Sequence, residues 1–228
     1  MKAVPGDQLP GNVGLFEMTQ LRTGRRTYYD IFSHCYDAFI RLHSRQNEDD
    51  TRDFLVDAAH LAGKSTPRIL DVCCGTGSVI LTFKERCPDA LAVGYDFSHG
   101  MLSRAQQKNR GDTVFVEGDA AALPFPEDTF DVVTCSHALY ELKGETRQTA
   151  LREMKRVVRP DGYVLVMEHE VPRHPVVKFL FHVRMASMGA KDAREFVKGG
   201  LDPFRRIFPS VSLSHSRTGK SKLVSCRK

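Results

Sequence analysis

Residues 70–78 read Leu-Asp-Val-Cys-Cys-Gly-Thr-Gly-Ser, a set of types that could wrap a nucleotide. Asp71 lies in an apolar run, and Gly75 and Gly77 flank a threonine just beyond it. Glycines in such a turn let the backbone approach a ligand and start the next helix with its free amides facing outward. Asp96 follows 19 residues after Gly77, at the end of a second apolar run. A carboxylate at that distance typically accepts hydrogen bonds from a ribose diol. A third apolar run ends in Gly118-Asp119-Ala120, and a fourth in Ser136 and His137. His137 titrates near neutrality by default, which makes it the candidate general base at this edge, ahead of Tyr140, Glu141 and His169.

Cys73 and Cys74 raise a second possibility, that the loop carries thiol chemistry. Adjacent cysteines cannot easily pair with each other and have no usual metal spacing, so they read as replacements within a ligand-binding loop. Glu168-His169-Glu170 raises a metal question that the strand period answers. Neighbouring residues point to opposite faces, so only Glu168 and Glu170 could converge, too few oxygens for a magnesium site. No metal is expected.

These residues need a scaffold of alternating strands and helices, and the chain has one. Strands are expected over 67–74, 90–96, 112–119, 129–136 and 162–170. Helices are expected after the glycine loop, over FSHGMLSRAQQKN, and over 144–158, where RPDG is a turn signal that stops the helix. Apolar strands alternating with helices make a mostly parallel sheet covered on both faces. In an open sheet of this kind ligands sit beyond the carboxyl ends of the strands, where the strand order reverses. Two alternating runs around Thr218-Gly219 read as a C-terminal hairpin, which must add at least one antiparallel strand.

Residues 1–22 are weakly patterned and read as an arm. Helices fit 27–45, whose apolar face includes Tyr28, Ile31, Phe32, Cys35, Phe39 and Leu42, and 48–62, stopped by Gly63. The domain reading is therefore an N-terminal arm with helices over 1–65, and a main domain over 66–228.

The chain has 228 residues, enough for one domain with a sizeable core. No apolar run approaches a membrane span and the N-terminus lacks the apolar stretch of a secretory signal, so the expected location is cytoplasmic. Six scattered cysteines without structural-zinc spacing are expected to be free thiols. Net charge is +5, unevenly spread: residues 143–228 hold 19 Lys/Arg against 8 Asp/Glu, and residues 1–142 hold 14 against 20. A basic third can attract an acidic partner, but no aromatic interleaving or nucleic-acid motif accompanies it, so no nucleic acid partner is expected. The stretch 171–203 mixes apolar positions with Lys178 and Arg184, which allows peripheral membrane contact but fits packing over the sheet more simply.

A dinucleotide fingerprint starting at Gly75 would need glycine at position 80, where this chain has Ile80. Asp71-Val72-Cys73-Cys74-Gly75-Thr76-Gly77 instead resembles the acidic-x-Gly-x-Gly-x-Gly loop of the class I S-adenosylmethionine-dependent methyltransferases, departing from it at Cys73. The stretches AVGYDFSHGML, EGDAAALPFPEDTFDVV and LREMKRVVRPDGYVLVMEH resemble the family's successive motifs, and the type 11 and ubiquinone/menaquinone C-methyltransferase-like branch is the most similar. The likeness covers about 66–170 well and the ends in outline. It implies a Rossmann-like, doubly wound, mostly parallel seven-stranded sheet with an antiparallel C-terminal hairpin and an N-terminal helical lid. It also implies S-adenosyl-L-methionine as cofactor, S-adenosyl-L-homocysteine as product, and a small lipophilic or aromatic acceptor walled in part by 171–203.

Position by position, the resemblance places Asp71, Cys73, Gly75 and Gly77 at the methionine end of the cofactor. Asp96 goes on the ribose, Phe97 and Met101 near the adenine, Asp119 and the Ala120 amide on the adenine edge, and Ser136 near the transferred methyl. Tyr29 would belong to the lid. Each has a plainer reading: Asp96 and Asp119 as turn or cap residues, Phe97 and Met101 as helix core, Ser136 as a strand end, Tyr29 as core or surface. Three other functions remain at this point. These are a nucleic-acid methyltransferase using the basic third, a NAD-type oxidoreductase, and a catalytically silent cofactor-binding protein. The fourth strand gives CSHAL rather than the Asn/Asp-Pro-Pro-aromatic motif of amino-group base methylators, which weighs against the first.

Overall fold

A computed structural model describes residues 26–30, 33, 48–61, 63–142, 144–170, 196, 199–217, 219 and 221–228. The expected arm over 1–22, most of the helix over 27–45 and most of the segment 171–203 lie outside them. Residues 26–30 and Ser33 are helical. Then follow α1 (Glu48–Asp57), β1 (Arg68–Val72), α2 (Ser78–Arg86), β2 (Leu91–Asp96), α3 (His99–Lys108), β3 (Val114–Glu117) and β4 (Phe130–Ser136). A 3₁₀ turn spans Leu139–Glu141, and α4 (Gly144–Val157), β5 (Val158–His169), α5 (Asp202–Arg205), β6 (Ser210–His215) and β7 (Ser221–Arg227) complete the order.

The strands form one seven-stranded sheet in the order β3-β2-β1-β4-β5-β7-β6. The first five are parallel; β7 runs antiparallel to both β5 and β6, so the expected hairpin inserts its second strand beside β5. Consecutive apolar residues in each central strand serve two faces at once. Ile69, Val132, Leu165, Met167 and Leu223 pack with Leu55 and Val56 of α1 and Val79, Ile80 and Phe83 of α2. Leu70, Val133, Val164, Val166 and Val224 pack on the other face with Ala150, Leu151, Met154 and Val157 of α4, and with Phe204 and Phe208. In α4 the buried positions 147, 150, 151, 154 and 157 fall at helical three- and four-residue steps.

Two boundaries differ from expectation. The helix expected to reach residue 62 ends at Asp57, because the chain turns through His60 at φ 49° before Gly63. RPDG does not separate α4 from β5 by a free turn. Val158 already pairs with Phe130, and the next pair is Val132 with Tyr163, so Arg159–Gly162 bulge out of a continuing ladder. A Cβ on Gly162 would stand 2.6 Å from the backbone oxygen of Asp131, an atom with little freedom to yield. Gly162→Ala is expected to destabilise the fold by about 1–3 kcal/mol, the usual range for forcing atoms into a packed site, read as a lower urea midpoint.

Part of the basic excess in the C-terminal third is used internally. Arg147 is 5% exposed and donates to the carbonyls of Leu139 and Tyr140, which fixes the 3₁₀ turn. Lys155 donates to the Ile207 carbonyl, Arg156 pairs with Glu153, and Lys228 pairs with Glu127 and Asp128. Cys73, Cys74, Cys87, Cys135 and Cys226 are free thiols; Cys35 lies outside the described residues. Among the described residues no helix is long and apolar enough to cross a membrane.

Candidate active site

Strand order reverses between β1 and β4, and the residues that follow those strands flank the crevice there. Beyond β1 the chain passes through Cys73 at φ 58°, Gly75 at φ 54° and Gly77 at φ 77°. Three alternate residues of one short loop are therefore left-handed. Glycine adopts this conformation freely, whereas a residue with a Cβ is strained in it by about 1–2 kcal/mol. Cys73 occupies the first of the three positions, so its Cβ crowds a turn shaped for glycine. Its thiol hydrogen-bonds the Cys135 thiol of β4.

The loop is strapped to β2. The Cys74 amide donates to the Tyr95 carbonyl at 3.1 Å, and the Gly75 amide donates to Asp96 Oδ2 at 2.8 Å. The other Asp96 oxygen accepts from the Ser98 amide at 2.9 Å. Asp96 is 5% exposed, and burial pushes its carboxyl up to about 6 against the amides of Ser98, Gly75 and Phe97, which hold it down. Asp71 is 1% exposed and accepts from Thr134 Oγ1 at 2.7 Å. Burial lifts it further, to about 7, with Asp96 adding repulsion against the bond from Thr134. Among the described residues no cation pairs with either carboxyl. Beside them, among the described residues, nothing lies within 4 Å of where a Cβ on Gly75 would be.

The remaining expected residues gather around this centre to different degrees. Phe97 is half-buried, with the ring of Tyr29 edge-on at 5.8 Å, and Tyr29 Oη donates to Glu141 on the far side of the crevice. Tyr29 therefore spans from the end of β2 to the turn after β4. Met101 is 2% exposed, in the first turn of α3 beneath Ser98, whose hydroxyl caps that helix by accepting from the Met101 amide. Asp119 closes a turn by accepting from the Ala121 amide at 2.9 Å, so the plainer turn role is present at that position. Ala120 is buried behind it. Ser136 ends β4 opposite Met167 of β5. His137 follows at φ 53°, its amide donating to the Met167 carbonyl at 2.7 Å.

Several contacts at this edge had no signal in the sequence. Asp30 Oδ1 accepts from Ser98 Oγ at 2.6 Å and from the Gly100 amide at 2.9 Å, so the N-terminal helix binds the start of α3. Arg26 pairs with Glu117 at the end of β3, which also meets His99. Thr134 was hidden among the apolar residues of β4. The Ser98 cap was legible in principle, since serine before a helical run is a start signal.

A seven-stranded sheet in this order, a glycine loop after β1 and an acid at the end of β2 define a Rossmann-like methyltransferase architecture. A TehB-like S-adenosylmethionine-dependent methyltransferase from Corynebacterium glutamicum shares the fold. Its TM-score is 0.58 at 17% identity, over 87% of this chain and 98% of that one. Residues 69–162 match the family described as a methyltransferase domain. The demethylmenaquinone methyltransferase of Thermus thermophilus is 41% identical over 140 residues, 60% of this chain and 62% of that protein. The protein of the same name from Chlorobaculum parvum is 30% identical over 182 residues, 79% and 74% of the two chains. The chain belongs to the class I S-adenosylmethionine-dependent methyltransferases, in their ubiquinone/menaquinone branch. It spans only 46–62% of the length of four curated demethylmenaquinone methyltransferases that it matches, the Thermus thermophilus protein among them.

S-adenosylmethionine is the cofactor of this family, and the residues present fit it. The open face at Gly75 leaves room beside the loop, and two buried carboxyls without a cationic partner suit a ligand that is cationic and carries a diol. Ile80, fully buried between α2 and the sheet, fills the place a dinucleotide fingerprint reserves for its third glycine.

Proposed function

We propose that the chain transfers a methyl group from S-adenosylmethionine to a small lipophilic ring acceptor, a reduced quinone precursor of the kind the relatives' names describe. The observation that carries this is Asp96, a buried carboxyl at the end of β2 strapped to Gly75 beside the open face of the loop. A diol presents two donors to such a carboxylate, whose oxygens can accept further bonds beside those from the amides. In this reading Asp71, Cys73, Gly75 and Gly77 border the methionine part, Phe97 and Met101 the adenine, Asp119 and Ala120 the adenine edge, and Ser136 the methyl. Tyr29, with Phe97 and Glu141 beside it, is the lid residue of this reading.

The bound cofactor supplies an electrophilic methyl group on a sulfonium. The chain supplies alignment, which is where most of the rate of such a transfer arises. A ring carbon that gains a methyl must lose a proton, and His137 is the proposed acceptor of it. Its position is fixed by its amide bond to β5, and an imidazole nitrogen can accept such a proton.

Titration calorimetry with S-adenosylhomocysteine and, separately, NAD tests the cofactor half. Saturable heat is expected with the first and none with the second; no heat with S-adenosylhomocysteine would sink the proposal. Incubation with S-adenosylmethionine and a dithionite-reduced 2-prenyl-1,4-naphthoquinone tests the acceptor half, by a product heavier by one methylene.

A further inference from the structure

Glu168 ends the buried part of β5 on the face it shares with Val164 and Val166. It is 5% exposed, and among the described residues neither carboxyl oxygen has a hydrogen-bond partner. Buried carboxyls in folded proteins are normally paired or hydrogen-bonded, because water removed from them must be replaced. The surroundings offer partners that stop short. The Leu139 and Tyr140 amides lie close enough to hold its pKa down, yet neither closes a hydrogen bond of ordinary geometry on its oxygens. Lys222 lies directly across on β7, yet no ion pair joins the two. Glu141 opposes the charge from the 3₁₀ turn, and burial, the larger effect, pushes the carboxyl up to about 8, so it is mostly neutral at pH 7.

Its place relative to the loop is equally specific. The Cys135 thiol of β4 hydrogen-bonds Cys73 of the loop and also feels the charge of Glu168, so Glu168 belongs to the same electrostatic neighbourhood as the loop. β5 lies across the β1/β4 reversal from β2 and β3. A cofactor lying over β1, β2 and β3 leaves the ends of β4 and β5 for the acceptor.

We infer that Glu168 is an acceptor-binding residue: its protonated carboxyl donates a hydrogen bond to a ring oxygen of the methyl acceptor, and the fold leaves it unpaired for that contact. The inference rests on the function proposed above and deepens it, since it requires an acceptor with a phenolic or carbonyl oxygen near the methylated atom.

Glu168→Gln and Glu168→Leu test it, with three readouts. The first is the melting temperature without ligand. Removing an unpaired buried carboxyl is expected to raise it by a few degrees in Glu168→Leu, whereas a carboxyl with a structural role would lower it in both variants. The second is affinity for S-adenosylhomocysteine, expected to stay within about twofold of wild type. The third is KM for the reduced 2-prenyl-1,4-naphthoquinone, expected to rise at least tenfold in Glu168→Leu and to stay near wild type in Glu168→Gln, which keeps a donor. Above pH 8 the wild-type KM should climb as the carboxyl ionises among Lys222, Glu141 and Cys135, and the Glu168→Gln value should not.

An unchanged KM in Glu168→Leu, with the wild type active, overturns the inference, as does a lowered melting temperature in both variants. A wild type that binds S-adenosylhomocysteine but leaves the naphthoquinone unmethylated overturns the proposed acceptor class instead, and the melting comparison then decides the role of Glu168.

Discussion

Asp96→Ala is expected to weaken S-adenosylhomocysteine binding by roughly 100- to 20,000-fold. Two ribose hydroxyls donating to one carboxylate make two charge-assisted hydrogen bonds, each worth about 1.5–3 kcal/mol, and about 1.4 kcal/mol corresponds to a tenfold change in affinity. The same substitution removes the acceptors of the Gly75 and Ser98 amides, so part of the loss reaches the ligand through a loosened loop. The unliganded fold should suffer less than the affinity. The variant loses two amide bonds, but it also loses a buried carboxyl whose ionisation burial already disfavours. Calorimetry on the folded variant, beside a melting curve, separates the two effects. Asp96→Asn keeps one acceptor oxygen and should fall between wild type and Ala. Affinity unchanged in Asp96→Ala would refute the ribose assignment.

The residues at strand ends were legible because two periodicities meet there. Strands with consecutive apolar residues announce themselves, and a polar residue that breaks the run marks where the chain leaves the sheet. Asp71, Asp96 and Ser136 could therefore be placed from sequence to within a residue or two of their strand ends. Cys73 was legible as a departure from the glycine pattern; its left-handed backbone shows why glycine suits that position. The contacts that join the N-terminal helix to the site were not legible. Arg26 meets Glu117 across 91 residues and Asp30 meets Ser98 across 68, and nothing local in either segment encodes its partner. Glu168 was visible only as a weak metal-ligand candidate. Its significance lies in what is absent around it, which no spacing rule reports. RPDG was legible as the stop of α4, which ends at Val157; that its residues bulge from a ladder Val158 has already joined by pairing with Phe130 was not.

Cofactor affinity is expected to rise with pH between 5 and 7.5, while the stability of the unliganded protein falls over the same range. Both follow from the raised carboxyls of Asp96, at about 6, and Asp71, at about 7, each set first by burial. A carboxyl whose folded pKa is raised binds its proton more tightly in the folded state than in the unfolded chain. Its stabilising contribution is fully present below the ordinary carboxylate range near 4 and is lost as pH rises through 6 to 7. Asp131 has the opposite sign: amide and cation contacts from Arg68, Lys64 and Arg159 hold it low against burial, so its contribution is lost only in acid. The unliganded protein should therefore melt at a higher temperature at pH 5.5 than at pH 8.

A cationic ligand reverses the preference at the site, because sulfonium and ammonium charges favour the ionised carboxyls. Binding must then expel protons, about one per site at pH 6.5 if both groups end ionised. Calorimetry at pH 6.5 in two buffers of different ionisation enthalpy reads that number directly. S-adenosylmethionine carries one more positive charge than S-adenosylhomocysteine, so it should expel more protons, and Asp96→Asn should lower the release for both. Binding of S-adenosylmethionine with no proton release, at an affinity flat from pH 5.5 to 7.5, would show that neither carboxyl faces the cationic part of the ligand.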